Sequence, residues 1–264
     1  MKIIDLSEEH ENLYCVCLED WSSEMDDAGD HKKQWYAKMK ARGLRVKLAE
    51  NDDGKIGGMI QYLPIEESMA EGKDLYFINC IWVHGYKQGR GDFRKQGMGK
   101  ALLQAAEEDA KALGAKGMVA WGLAIPVFMR ASWFKKQGYR KADSMSMQIL
   151  LWKKFTEDAV EPRWIRPKKK PERLIGKVVI TGVLNGWCPS QNISFERAKR
   201  AAAEFGDTVV FRAVDTSDLQ VFRAWGISDA IFIDDKLITH DPPLTYDKIK
   251  RKIARQVKRL RPVY

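Results

Sequence analysis

Residues 83–114 read VHGYKQGRGDFRKQGMGKALLQAAEEDAKALG, and what could do chemistry here is a crowd of glycines among Lys and Arg. Gly97 and Gly99 stand directly before an apolar-periodic run, at the entrance of a predicted helix. The first amides of a helix have no intrahelical acceptor, and the macrodipole adds partial positive charge there. Glycine lacks the Cβ that would hold an anion off the backbone. Arg94, Lys95 and Lys100 add basic charge. Together these residues make a cradle for a phosphate group.

Two kinds of cradle are excluded. A Walker A loop needs Ser or Thr after Gly-Lys, but Ala101 follows Lys100, and Arg94 stands at the first glycine position. A dinucleotide fingerprint fits Gly89 and Gly91, then meets Arg94 where the third glycine belongs. What remains is Arg94-Lys95-Gln96-Gly97-Met98-Gly99, which matches Q/R-x-x-G-x-G/A and follows a buried apolar strand. This resembles the acetyl-CoA loop of the GNAT family of N-acetyltransferases. The later stretch WFKKQGY is similar to that family's helix ending in Lys-x-Gly-Phe.

The resemblance covers roughly residues 1–155 and implies a mixed α/β sheet of the GNAT type. It implies that the amides of Arg94, Lys95, Gln96, Gly97, Met98 and Gly99, with Lys100 beside them, hold the pyrophosphate of acetyl-CoA. It implies that Ile81-Trp82-Val83 splays from its neighbour and pairs with the pantetheine arm, and that one amide there polarises the thioester carbonyl. An acceptor amine, a small molecule or an amino terminus, then attacks the acetyl group directly. A base takes its proton and an acid protonates the thiolate.

The departures from the family concern that proton transfer. The usual general acid is a Tyr four residues before the helix-ending glycine; counting back from Gly138 gives Phe134, which cannot donate. The strand that often carries a Glu base has Asp74 and then no acid. Cys80 lies on that strand and is a candidate participant, although a buried Cys more often acts as a small hydrophobe; water-mediated transfer is the alternative. The segment HGYKQGRGDF is about six residues longer than the family's turn and either adds contacts through Lys87 and Arg90 or loops out. The acidic residues Glu19, Asp20, Glu24, Asp26, Asp27 and Asp30 fall where the family builds its acceptor wall; a solvated loop is the plainer reading.

The elements that must position these residues read as strands at MKIIDL, RVKLAE, GKIGGMIQYLPI, DLYFINCIWV, KGMVAWG and SMSMQILLWKKF. Helices are predicted over 31–41, over GKALLQAAEEDAKALG, and from near Pro126 to Gly138. Residues 156–175 carry prolines and basic charge and read as a linker. Residues 176–264 restart an alternating α/β pattern. There VVITGVLNGWCPSQN runs a strand into Trp187-Cys188-Pro189 and a helix, which resembles the thioredoxin-like fold. Gln191 stands where the second Cys of W-C-x-x-C would be, so no internal disulfide can form. Cys188, at a helix N-terminus, is a possible single-thiol site. The two halves together resemble the YoaP-like group of acetyltransferases with a smaller thioredoxin-like second domain.

Composition bounds the rest. The chain has 264 residues, net charge +9 and four cysteines, Cys15, Cys17, Cys80 and Cys188, none in a C-x-x-C pair. No metal is expected. No apolar run nears the roughly 18 residues that span a bilayer, and the N-terminus has no signal-peptide pattern, so a cytoplasmic protein without a membrane is expected. The basic closing helix lacks stacking aromatics, so no nucleic-acid partner is expected. The reading is an acetyl-CoA-dependent N-acetyltransferase. The rivals are a non-catalytic acyl-CoA-binding sensor and a single-thiol redox protein centred on Cys188. The acceptor and the oligomeric state stay open.

Overall fold

The computed structural model describes residues 1–125, 128–238 and 242–260. The chain divides into two units, Met1–Ser22 with Tyr36–Ile165, and Ser23–Trp35 with Arg166–Tyr264.

The elements of the first unit are, in chain order, β1 (Lys2–Asp5), α1 (Glu11–Cys15), α2 (His31–Lys40), β2 (Arg45–Glu50), β3 (Ile56–Pro64), β4 (Ala70–Glu71), β5 (Leu75–Val83), β6 (Gly85–Tyr86), β7 (Gly91–Asp92), α3 (Met98–Ala112), β8 (Gly117–Leu123), α4 (Ala131–Lys136), β9 (Arg140–Met145), β10 (Gln148–Lys154) and β11 (Arg163–Trp164). The residues of α2 up to Trp35 belong to the second unit. Seven strands form one sheet in the order β1-β2-β3-β5-β8-β10-β9. Every pairing in it is antiparallel except β5 with β8, whose crossover contains α3. The amphipathic α3 buries Leu102, Leu103, Ala106 and Ala110. Residues of the sheet such as Leu48, Ile60, Phe77, Ile78 and Val119 are wholly buried. Each large apolar side chain so buried contributes about 1.5–3 kcal/mol.

Two departures of β5 from an ideal ladder matter most. Against β3, Gln61 faces Cys80 while Tyr62 faces Ile78, so Asn79 is an extra, bulged residue. Against β8, pairing runs from Leu75↔Gly117 to Ile78↔Ala120 and stops. A bulge bends its strand and increases its twist, which carries β5 away. Strand β8 keeps straight along β10 to Leu123↔Gln148. In the gap, the Trp121 indole N–H donates to Asn79 O at 2.8 Å, taking a carbonyl that a strand partner would otherwise take.

The helix expected from near Pro126 is shorter. Pro126 and Val127 lie outside the described residues, and α4 begins only at Ala131. The reason is that Leu123 N–H donates to Met129 O at 2.7 Å, so residues 128–130 return toward the end of β8. The segment 156–175, read as a linker, is built into both units. β11 pairs with β4, and the 5 % exposed Trp164 packs its ring 6.3 Å from Phe77. Further on, Lys168 N–H donates to Trp225 O.

In the second unit β12 (Val178–Leu184), α5 (Pro189–Ala203), β13 (Val209–Asp215), α6 (Leu219–Trp225), β14 (Ala230–Ile233), β15 (Lys236–Leu237) and α7 (Tyr246–Val257) follow in order. The sheet runs β13-β12-β14-β15, with β12 parallel to β13 and antiparallel to β14. Phe195, Ala198 and Ala201 of α5 and Ile249 and Ile253 of α7 share a core with Val178, Ile180, Ile231 and Ile233. Of the acidic residues 19–30, two are engaged here: Arg197 pairs with Glu24 and Asp27, and Arg200 with Asp27. Burial opposes ionisation of Asp27, but hydrogen bonds from Arg200 and Arg197 outweigh it and hold its pKa below the ordinary value. Both carboxylates are thus paired with arginines of α5, although Glu24 stays largely exposed.

Among the described residues no helix is long and apolar enough to cross a membrane, and no group of three or more His, Cys, Asp or Glu could hold a metal ion.

On α3, Asp109 accepts a forked pair of hydrogen bonds from Arg45 at 2.9 and 2.7 Å and a third from the Tyr62 hydroxyl at 2.5 Å. Burial works to raise its carboxyl, but these bonds and the nearby charges of Lys47 and Arg45 hold it below the usual range. A carboxyl depressed in the fold stabilises above its unfolded pKa, and that share is lost as pH falls through the folded value. Asp109→Ala is expected to cost about 1–3 kcal/mol at neutral pH by urea unfolding. The gap between wild type and variant should close below about pH 4.

Candidate active site

The entrance of α3 has the conformation that glycine favours. Gly97 is the helix N-cap at φ +86°, and Lys95 before it is also left-handed at φ +62°. Ala101 N–H, bonded to Gly97 O at 3.0 Å, follows three helical amides that by helix geometry have no intrahelical acceptor. A Cβ on Gly97 would meet nothing within 4 Å, so the cradle opens outward. A Cβ on Gly99 would lie 3.6 Å from the Trp133 ring and 3.7 Å from Val83, so that space is narrow.

One part of the loop is already occupied. Asp92 accepts from the Arg94 amide at 3.0 Å and from its guanidinium at 2.9 and 2.6 Å. The guanidinium and amide of Arg94 hold the Asp92 carboxyl well below the usual carboxylate range. Gln96 Nε2 donates to Asp92 O, which folds its side chain back. Of the residues expected to hold a phosphate, Arg94 and Gln96 are thus tied to Asp92.

Beyond Ile78, β5 has no pairing with β8, so Ile81, Trp82 and Val83 have one edge without a strand partner. Their side chains alternate. Val83 lies against Gly58 and Gly99, on the α3 side. Trp82 lies on the other side, its ring 5.9 Å from Phe128 and 6.3 Å from Tyr86. Cys80 is 5 % exposed and stands opposite Gln61, whose Oε1 accepts from the Tyr14 hydroxyl at 2.7 Å. Burial pushes that hydroxyl well up, and the nearby thiols of Cys17, Cys15 and Cys80 add to the effect. Gln61 Nε2 and Asn79 Oδ1 are buried without a partner among the described residues. Phe134 is wholly buried against Trp133 and Tyr139, a core position; Trp133 is the α4 residue that reaches the α3 entrance.

The long segment after Val83 is neither a short turn nor a free loop. β6 and β7 form a small hairpin fastened at three points. Its Arg90 donates to Ile56 O at 2.9 Å and to Asp20 at 3.0 Å. His84 Nδ1–H donates to Gly91 O at 2.6 Å, and the Trp21 indole N–H donates to His84 Nε2 at 2.9 Å. Gly89 has the Trp21 ring so close that a Cβ would lie 2.0 Å from it. Lys87 stays exposed. Sequence reasoning gave no role to Trp21, His84 or Trp133, although Trp133 opens the stretch WFKKQGY.

In the second unit Cys188 is the N-cap of α5, partly exposed, with its side chain making no cap bond. Asp229 nearby accepts from Asn185 N–H at 3.0 Å and Ser228 Oγ at 2.5 Å. Burial raises its carboxyl in spite of those bonds.

Arg90→Ala is expected to release the hairpin and the 19–21 loop together. Hydrogen exchange should speed up over 85–92 and 19–21, with stability lower by about 1–2 kcal/mol. Unchanged exchange would show that Arg90 is not the fastener.

Residues 6–139 match the acetyltransferase (GNAT) family. The chain is 22 % identical over 242 residues to an uncharacterised N-acetyltransferase, YoaP, of Bacillus subtilis, covering 88 % of this chain and 89 % of that protein. Among solved structures, it is similar to a GNAT family acetyltransferase from Brucella melitensis in complex with acetyl-CoA, at TM-score 0.41 and 15 % identity over 62 % of this chain and 94 % of the other. It is also similar to the PaiA N-acetyltransferase from Thermoplasma acidophilum in complex with coenzyme A, at TM-score 0.43 and 17 % identity over 59 % of this chain and all of the other. The family match spans half of the chain, and the chain belongs to the acetyltransferase (GNAT) family, as an N-acetyltransferase.

Proposed function

We propose that this chain moves an acetyl group from acetyl-CoA to a small primary amine or an amino terminus by direct attack. The observation that carries the reading is the parting of β5 from β8 next to an outward-opening helix entrance. The edge of Ile81, Trp82 and Val83 has no strand on it, and an extended pantetheine arm would add there as a strand does. The amides of Lys95, Gln96, Gly97, Met98 and Gly99, with Lys100, would hold the diphosphate; Arg94 joins them once it leaves Asp92. Coenzyme A supplies a thioester that activates the acetyl carbonyl.

The chain's own residues then bind and orient. The narrow space between Gly99, Trp133 and Val83 excludes water along the arm. One amide of Ile81, Trp82 or Val83, on the edge without a strand partner, would donate to the carbonyl oxygen as it gains charge. Cys80, beside Gln61 and the Tyr14 hydroxyl, stands under that point, and its burial suits a wall of the site better than an exposed proton carrier.

The second unit reads as thioredoxin-like. Its strand order β13-β12-β14-β15, with one parallel pair and a helix beginning at Cys188-Pro189, supports this. With Gln191 in place of a second Cys, it serves as a scaffold.

Calorimetry tests the donor site. Wild type should bind coenzyme A with Kd on the order of micromolar. Gly97→Trp and Arg94→Glu should weaken it at least about tenfold with far-UV circular dichroism unchanged, whereas Asp92→Asn should tighten it severalfold at low salt. No binding to wild type would sink the reading.

A further inference from the structure

The splayed part of β5 has two faces, and only one has been given a task. Val83 faces α3 and the donor loop. On the opposite face, Trp82, Tyr86 and Trp21 cluster around the buried His84. His84 lies 5.5 Å from Tyr86, Trp21 lies 5.9 Å from Tyr86 and 6.0 Å from His84, and Phe128 extends the cluster beside Trp82. Trp21 and Tyr86 are 41 % and 46 % exposed, so rings that large lie open rather than in the core. The Trp82 indole N–H is buried with no partner among the described residues.

One carboxylate, Glu19, is close enough to the buried His84 at the centre of these rings to interact with it electrostatically. Glu19 lies two residues before Trp21, in a loop pinned on the far side by the Trp21–His84 bond and next to it by the Asp20–Arg90 pair. Before it, Cys17 and Leu18 take left-handed φ of +52° and +64°, and Leu18 is wholly buried, which turns the chain there. Among the described residues no hydrogen bond or ion pair engages the Glu19 carboxylate, although it is only partly exposed. The charged or titratable groups around it are His84, from the end of β5, and Asp20, which is itself committed to Arg90. Burial raises the Glu19 carboxyl; His84 opposes this and Asp20 adds to it. It is therefore more basic than a solvated glutamate.

We propose that Glu19 and the rings of Trp21, Trp82 and Tyr86 form the acceptor subsite, which takes a primary ammonium borne on an aromatic or apolar body, with Glu19 receiving its proton. The assignment rests on the acetyl-transfer reading. The rings attract the cation through their π faces and cover its apolar body. Glu19 pairs with the ammonium and then accepts one proton, which leaves a neutral amine. The amine nitrogen forms its bond to the acetyl carbon as the carbon–sulfur bond breaks. The second nitrogen proton goes to the departing thiolate, and Glu19 returns its own to water. The donor enters from the α3 face and the acceptor from the opposite face, so neither must pass the other.

The test uses the full chain, with tryptamine and ethanolamine as acceptor probes. Calorimetry on the coenzyme A-bound protein should show tryptamine binding that Glu19→Gln weakens at least about tenfold, with coenzyme A affinity unchanged within about twofold. Thiol release with tryptamine should fall about 100-fold or more in that variant. The acidic limb of kcat/KM, set above the usual carboxylate pKa in wild type, should vanish with it. Equal tryptamine binding in wild type and Glu19→Gln overturns the subsite, as does a preference for ethanolamine. Weakened binding with an unchanged acidic limb overturns the role of Glu19 as base. Failure of wild type to release thiol with either amine counts instead against acetyl transfer, while the binding experiment still decides the subsite.

Discussion

Everything at the site depends on two neighbouring strands failing to stay together. The extra residue Asn79 bends β5, and pairing with β8 ends at Ile78↔Ala120. A parted sheet normally exposes unsatisfied backbone groups, each costly when buried. Here the first of them, Asn79 O, is satisfied by the Trp121 indole. Further along, Ile81, Trp82 and Val83 have no strand on that edge of β5. Strand β8 keeps its full ladder with β10, so the opening is a bend in one strand on a firm frame rather than a general loosening.

The bend turns one strand into a partition. Alternation along β5 sends Val83 toward α3 and Trp82 away from it, and the contacts of each agree. The α3 side has glycines, open amides and basic charge, which suit an anion. The far side has aromatic rings and a carboxylate, which suit a cation. The two chemistries would neutralise each other in a single pocket. Separated by the thickness of one strand, each keeps its own field, and the backbone that divides them is where the reacting atoms would meet. The β6–β7 hairpin closes the far side from the end, fixed by Arg90 and by the His84–Trp21 bond.

How much of this was legible in the sequence follows from the range of the forces involved. Helix α3 and strand β5 were readable because their signals are local: amphipathic period in one, a continuous apolar run in the other. The α3 entrance was readable because glycine is demanded there by conformation, and Gly97 does adopt positive φ. Strand β9 was missed because RKADSM is polar and partly exposed, held by its ladder to β10 rather than by burial. The two-residue strands β4 and β11 are too short for any period. Helix α5 begins at Pro189 directly after Cys188, where the Trp187-Cys188-Pro189 stretch put a helix N-terminus. The largest omissions were long-range. Trp21 meets His84 across 63 positions, and Arg197 meets Glu24 across 173. No spacing rule reaches so far, so an acidic stretch that looked like one feature proved to be several. Asp20 holds a hairpin, Glu24 and Asp27 hold α5, and Glu19 is left over.

The Asp92–Arg94 fork has a consequence for selectivity. The loop's own carboxylate, Asp92, rests on Arg94, so the charge of that arginine is offset while Lys95 and Lys100 keep the loop basic. A singly charged newcomer offers Arg94 little more than it already has and must also strand Asp92. A diphosphate that spans several amides at once gains enough to displace it. On the donor-site reading, the resident carboxylate would set a threshold that small anions in the surrounding solution would not pass, without any steric barrier.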